Sequence, residues 1–191
     1  LVPVTSPADL AGPDPVVLPG VGSFGAAMAA LGEQGLVDAL RDRVTRGDPL
    51  LAVCVGLQVL AAASEESPGV SGLGVLPTTV AQLPAAPRRP QLGWNGVGGQ
   101  AVYFANGYAL PDAPGFDTAS FVYGDRPFVG AAWRGRVWGL QFHPELSGPA
   151  GAAWLRAWLA GQPPPVDTPS PGATRRIVPC LDIDGGRVVK G

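Results

Sequence analysis

Cys54 closes the apolar run Leu50-Leu51-Ala52-Val53 and is followed at once by Val55-Gly56 and a helical pattern. A thiol at such a strand-to-helix turn is lifted out of the sheet. Small residues two positions either side, here Ala52 and Gly56, relieve crowding where the backbone is strained. The helix start is expected to lower the thiol pKa and to offer backbone N–H groups, Val55 first, to a developing oxyanion. Taken alone, the segment fits an inert core cysteine equally well. His143 is the only histidine of the chain and lies in Gln141-Phe142-His143-Pro144-Glu145, directly after an apolar run at 137–140. Pro144 ends strand pairing and fixes the chain direction. His143 and Glu145 then point the same way, so the carboxylate can hold the imidazole. A thiol, an imidazole to take its proton and a carboxylate to orient that imidazole form a working set for nucleophilic catalysis. A third element is Pro19-Gly20-Val21-Gly22 at the end of an earlier strand. Gly20 and Gly22 let the peptide around Val21 turn an N–H toward an anion. In a chain with 28 glycines this run alone is weak, since most such runs are tight turns.

The elements that must position these groups follow from periodicity. A short β-type run is expected at 2–5, and Ser6 suits the cap of a brief helix at 7–10. A buried strand at 16–18 stops at the glycine run. A helix at 24–31 places Phe24, Ala27, Met28 and Leu31 on one face, and another at 36–46 places Leu36, Leu40 and Val44 inward and ends at Gly47. The strand at 50–53 leads into a helix at 57–63. Apolar strands alternating with helices indicate a parallel sheet covered on both faces. Short strand-like runs follow at 72–76, 79–83, 101–105, 118–123, 128–133 and 137–142, so the second half is β-rich and partly antiparallel. A helix at 149–160 closes the unit, with Ala153, Trp154, Ala157 and Trp158 at three-to-four spacing.

Composition sets the limits. Of 191 residues, 46% are hydrophobic and 15% charged, enough apolar material for a core and too little charge for a disordered chain. A net charge of −2 argues against a nucleic-acid surface. One histidine and two cysteines exclude a His-rich metal site and leave a Cys/His zinc site short of ligands. The apolar runs fall short of a membrane span, and no leader pattern opens the chain, so a cytoplasmic protein is expected. Residues 161–174, rich in proline, read as a linker without core residues. In 175–191, the run 177–181 looks like a strand without a partner.

The strand–PGVG, strand–AVCVGLQ and GLQFHPE segments, in this order and spacing, resemble a class I glutamine amidotransferase domain. LPGVGSFG at 18–25, SEESPGVSGL at 64–73, LGWNGV at 92–97 and QFHPELSG at 141–148 narrow the resemblance to the glutaminase subunit of imidazole glycerol phosphate synthase. RRIVPCLDIDGGRVVKG at 175–191 resembles the first strand and loop of that synthase's cyclase, a (β/α)8 barrel, with Asp182 and Lys190 at matching positions. The resemblance implies an α/β three-layer fold with a mixed, mainly parallel sheet that lacks its first strand. It implies an amidotransferase domain over 1–160 and a barrel stub over 175–191. It assigns Cys54 as nucleophile, His143 as base and then acid, and Glu145 as its orienting partner. Gly20, Val21, Gly22 and Val55 fall to the oxyanion, Gln58 to glutamine contact, and Trp94 and Asn95 to the cyclase interface. No cofactor or metal is implied. The substrate is glutamine and the partner the cyclase, with no nucleic acid or membrane.

The chain departs from the family at several positions. Gln91 stands for a usual His, Ala105-Asn106-Gly107 for a Val-His-Ser/Thr run near the glutamine pocket, and Leu146 for a Lys. Arg88-Arg89 reads as a solvated pair. The alternative reading is a truncated or decayed domain that docks on the cyclase without turnover.

Overall fold

The computed structural model describes residues 2–85 and 88–167, together with the pairs 183–184 and 187–188. The central sheet has five strands in the order β1 (Val16–Leu18), β2 (Leu50–Val53), β10 (Val137–Leu140), β9 (Arg126–Arg134) and β8 (Asp117–Tyr123). β1, β2 and β10 are mutually parallel, whereas β10–β9 and β9–β8 pair antiparallel. The sheet is therefore mixed as expected, but its pairings divide evenly rather than being mainly parallel. Loop length explains the division. β1 and β2 are joined through α1 (Phe24–Glu33) and α2 (Val37–Arg46), the long crossover that parallel pairing requires. β8–β9 and β9–β10 are joined by two residues each, with Gly124 at φ 64° and Gly135 at φ 58° supplying the hairpin geometry.

β2 and β10 are buried along their whole length, so both faces of the sheet centre are covered. α1 buries Phe24, Met28 and Leu31, and α2 buries Leu40 and Val44. Gly47 ends α2 at φ 76°, a left-handed position that favours glycine. α4 (Gly148–Leu159) seats Trp154 against Trp138, Trp133 and Phe142, at ring separations of 5.9, 6.5 and 5.5 Å. That cluster fixes the chain just before His143. Arg43 is fully buried, and its guanidinium donates to the carbonyls of Leu10, Gly12, Asp14 and Pro49. The segment before β1 is thereby tied to α2.

Several expectations are corrected. Residues 2–5 form no strand, though the turn at Pro7–Leu10 does begin at Ser6, whose N–H donates to Asp9 Oδ2 at 2.9 Å. The helix expected at 57–63 ends after one turn, α3 (Val55–Gln58), and β3 (Ala61–Ser64) follows. Carbonyls that a longer helix would use are taken from outside: Leu73 N–H donates to Val59 O and Gly72 N–H to Ala62 O. β3 pairs with β4 (Leu76–Gln82), which pairs with the short β7 (Tyr108–Ala109), and 72–75 is not strand. β5 (Gln91–Val97), unexpected because of its internal glycines, pairs with β6 (Gln100–Asn106) across Gly98-Gly99.

The start of the expected linker is also part of the domain. Asp167 N–H donates to Gly98 O at 2.8 Å, Gln100 Nε2 donates to Pro165 O, and Val166 packs on the core. The expected strand at 177–181 lies outside the described residues. Ile183–Asp184 and Arg187–Val188 pair antiparallel.

Candidate active site

β2 and β10 are neighbours in register, with Val53 opposite Leu140. One residue further on, Cys54 N–H donates to Leu140 O at 2.7 Å. The thiol and the strand leading to His143 thus leave the sheet side by side. Cys54 has φ 54° and is the only non-glycine with positive φ among the described residues. That strain is held by close packing. A Cβ on Gly56 would lie 2.1 Å from Leu18 O, and one on Gly20 would lie 2.2 Å from Gly56 N. Glycine at both positions lets the loop after β1 rest on the elbow.

The imidazole is placed by hydrogen bonds. His143 N–H donates to Tyr103 O at 2.8 Å, and Ser147 Oγ donates to His143 O at 2.6 Å while accepting from Tyr103 N–H. Pro144–Leu146 forms a tight turn that brings Glu145 Oε1 to 2.8 Å from His143 Nδ1. Nε2 is then the nitrogen left for the pocket.

Cys54, His143, Gly20, Val21 and Gly22 border one pocket of about 240 Å³, joined by Val55 and Gln58. Glu145 stands behind the imidazole. Trp94 and Asn95 are elsewhere, on β5. Trp94 is exposed, edge-on to Tyr103, and Asn95 Nδ2 donates to Val122 O. With exposed Leu92 and Val122 they border a separate depression.

The thiol departs from expectation. Burial pushes Cys54 up to about 11; the Val55 N–H opposes this, and the charges of Glu145 and Glu66 add to it. A four-residue helix does not outweigh that desolvation. The contact made by Sγ is with Gln141 Nε2 at 3.8 Å, and no hydrogen bond joins it to His143 among the described residues. Gln58 also departs. Its Nε2 donates to Tyr108 O at 2.8 Å and to Gln141 Oε1 at 3.1 Å, so both N–H groups turn away from a ligand. Asn106 compensates: its Nδ2 donates to Tyr108 O, and its Oδ1 is buried at the pocket without a partner.

Gln91 is buried and Leu146 exposed. Arg89 is not simply solvated, since its Nη1 donates to Leu83 O at 3.1 Å. Sequence reasoning missed Glu66, which lines the pocket and accepts the Phe24 N–H at 2.7 Å, and Gln141. Gln141 was visible as the residue two before His143, on the same side of an extended chain.

The family description of a CobB/CobQ-like glutamine amidotransferase domain matches residues 2–86. A solved glutamine amidotransferase is similar over 83% of this chain and 84% of its own, at 25% identity and a TM-score of 0.64. The fold and these matches are those of a glutamine amidotransferase domain, with a strand-end thiol and a histidine–glutamate pair at its pocket. Subunit HisH of imidazole glycerol phosphate synthase from Exiguobacterium sibiricum is 41% identical over 81% of this chain and 80% of its own length. Imidazole glycerol phosphate synthase hisHF of Emericella nidulans is 35% identical over 94% of this chain, which spans 38% of that relative. The chain belongs to the family of imidazole glycerol phosphate synthase subunit HisH.

Proposed function

We propose that residues 1–160 hydrolyse glutamine and pass the ammonia to a cyclase that forms imidazole glycerol phosphate in histidine biosynthesis. In this reading 161–174 connects the domain to the opening of the cyclase barrel at 175–191. Cys54 Sγ attacks the carboxamide carbon as His143 Nε2 takes the thiol proton. The oxyanion is received by the Val55 N–H and by the peptide around Gly20, Val21 and Gly22. The C–N bond breaks as His143 returns the proton to the leaving ammonia. Water, deprotonated by the same imidazole, then cleaves the thioester to glutamate. Glu145 holds Nδ1 throughout. The free Asn106 Oδ1 suits an N–H donor of the substrate, and Gln58 borders the same space. Trp94 and Asn95 face the cyclase. The reading calls on no cofactor, nucleic acid or membrane, and its setting is the cytoplasm.

One observation carries it: a strained thiol shares a pocket with an imidazole whose far nitrogen is held 2.8 Å from a carboxylate. An electrophilic glutamine analogue is expected to label the Cys54 peptide, and Cys54→Ala to abolish glutamate formation by the full chain with cyclase present. Undiminished glutamate formation in that variant removes the reading. The raised thiol pKa and the missing thiol–imidazole contact favour one other reading, a domain that docks on a cyclase without turnover. Measurable turnover eliminates it.

A further inference from the structure

We propose that Gln141 is a positioning residue whose amide N–H eases ionisation of the Cys54 sulfur, with that amide locked in orientation by Gln58. The proposal rests on Cys54 as the nucleophile. The orientation follows from a group that can only accept. Tyr108 O is a backbone carbonyl, so the Gln58 atom 2.8 Å from it is the amide nitrogen. That same nitrogen lies 3.1 Å from Gln141, which must therefore present its oxygen there. The Gln141 nitrogen is left facing Cys54 Sγ at 3.8 Å. A carbonyl on β7 thus sets, through two amides, which end of Gln141 meets the thiol.

Gln141 is fully buried, and its main chain is fixed by its N–H donating to Gly130 O at 2.9 Å. It has no solvent to turn toward. A thiol accepts hydrogen bonds weakly and a thiolate strongly, so an N–H aimed at sulfur favours the ionised form. The other groups around the thiol mostly act the opposite way. The carboxylates of Glu145 and Glu66 repel a second negative charge. His143 is engaged by Glu145. The Tyr108 hydroxyl is turned to Gln82 Nε2 at 3.1 Å. The loop after β1 and the α3 turn bring no ionisable side chain to the sulfur. Besides His143 Nε2, which takes the proton, the Val55 N–H and the Gln141 amide are the donors that favour the anion.

The test measures iodoacetamide alkylation of Cys54 in the full chain from pH 7 to 9.5, with the Cys54 peptide quantified by mass spectrometry so that Cys180 does not contribute. Gln141→Met keeps the volume, removes the donor and leaves Gln58 bonded to Tyr108 O. The Cys54 rate at each pH is expected to fall about tenfold, equivalent to a one-unit rise in thiol pKa. Gln58→Met, which leaves Gln141 present and frees its amide to turn, is expected to slow it about threefold. A packing role has the opposite sign, because loosening exposes the sulfur and speeds alkylation. Unchanged or faster alkylation in a variant that still melts cooperatively overturns the proposal. If Gln141→Met loses that melt, Gln58→Met decides. With glutamine, Gln141→Met is expected to lower kcat and leave KM unchanged, since Gln141 does not line the pocket. Alkylation requires no glutamine. Loss of the glutaminase reading, seen as turnover in Cys54→Ala, is therefore separable from loss of this one.

Discussion

β2 and β10 run parallel and in register from Leu50 opposite Val137 to Val53 opposite Leu140, and then leave the sheet by different means. The exit of β2 is held by sterics. Cys54 takes positive φ, and two glycines let Leu18 O and the Gly56 peptide approach closer than any Cβ permits. The exit of β10 is held by hydrogen bonds that His143 makes to Tyr103 O and Glu145 and accepts from Ser147. The proposed nucleophile is thus placed by what is absent, and the proposed base by partners that are present. One end fails when a methyl group is added, the other when an acceptor or donor is taken away.

The sharpest way to break this contrast is Gly56→Ala. Its Cβ meets a main-chain oxygen that cannot swing aside, so loss of cooperative folding, or destabilisation above about 3 kcal/mol by urea titration, is expected. Gly96→Ala, with nothing within 4 Å, is the control and is expected to stay within about 0.5 kcal/mol. At the other exit, His143→Asn is expected to fold normally and to lose roughly a hundredfold or more in glutamate formation.

The pH response comes next in size. The Cys54 thiol, raised to about 11 from a reference of 9.0, binds its proton more tightly folded than unfolded. Its contribution is complete below the unfolded value and is lost as pH rises through the folded one. Melts from pH 8 to 11 are expected to show an alkaline loss of order 2 kcal/mol that Cys54→Ala lacks. Equal losses in both proteins would disconnect the thiol from that window. Smallest is Glu145→Gln. Its carboxylate is half exposed and Tyr103 and Ser147 keep the backbone in place, so turnover is expected to fall about tenfold without a change in melting.

The same contrast separates what was legible in the sequence from what was not. Helical faces were legible because Leu40 and Val44, or Phe24 and Met28, repeat with the helix period and are buried as expected. Cys54, His143 and Glu145 were legible because local chemistry marks them: a thiol between small residues, a lone histidine beside a proline. The end of α3 was not, because the carbonyls of Val59 and Ala62 are claimed by residues ten or more positions away. The thiol's pKa was misjudged for a related reason. A helix start is visible in sequence, whereas the degree of burial depends on the loop after β1 and on β10 closing over it. Gln58 was assigned from resemblance to the substrate, and only the distant Tyr108 carbonyl shows its N–H groups engaged elsewhere.

The docking of residues 165–167 on the Gly98-Gly99 turn bears on the geometry of assembly. A free linker would let an attached body wander over a sphere set by its full length. On the proposed reading, a tether after 167 would start at the tip of the hairpin that carries Trp94, four residues or on the order of 13 Å along β5. In that reading, shortening the slack would raise the local concentration of the proposed cyclase at the Trp94 face.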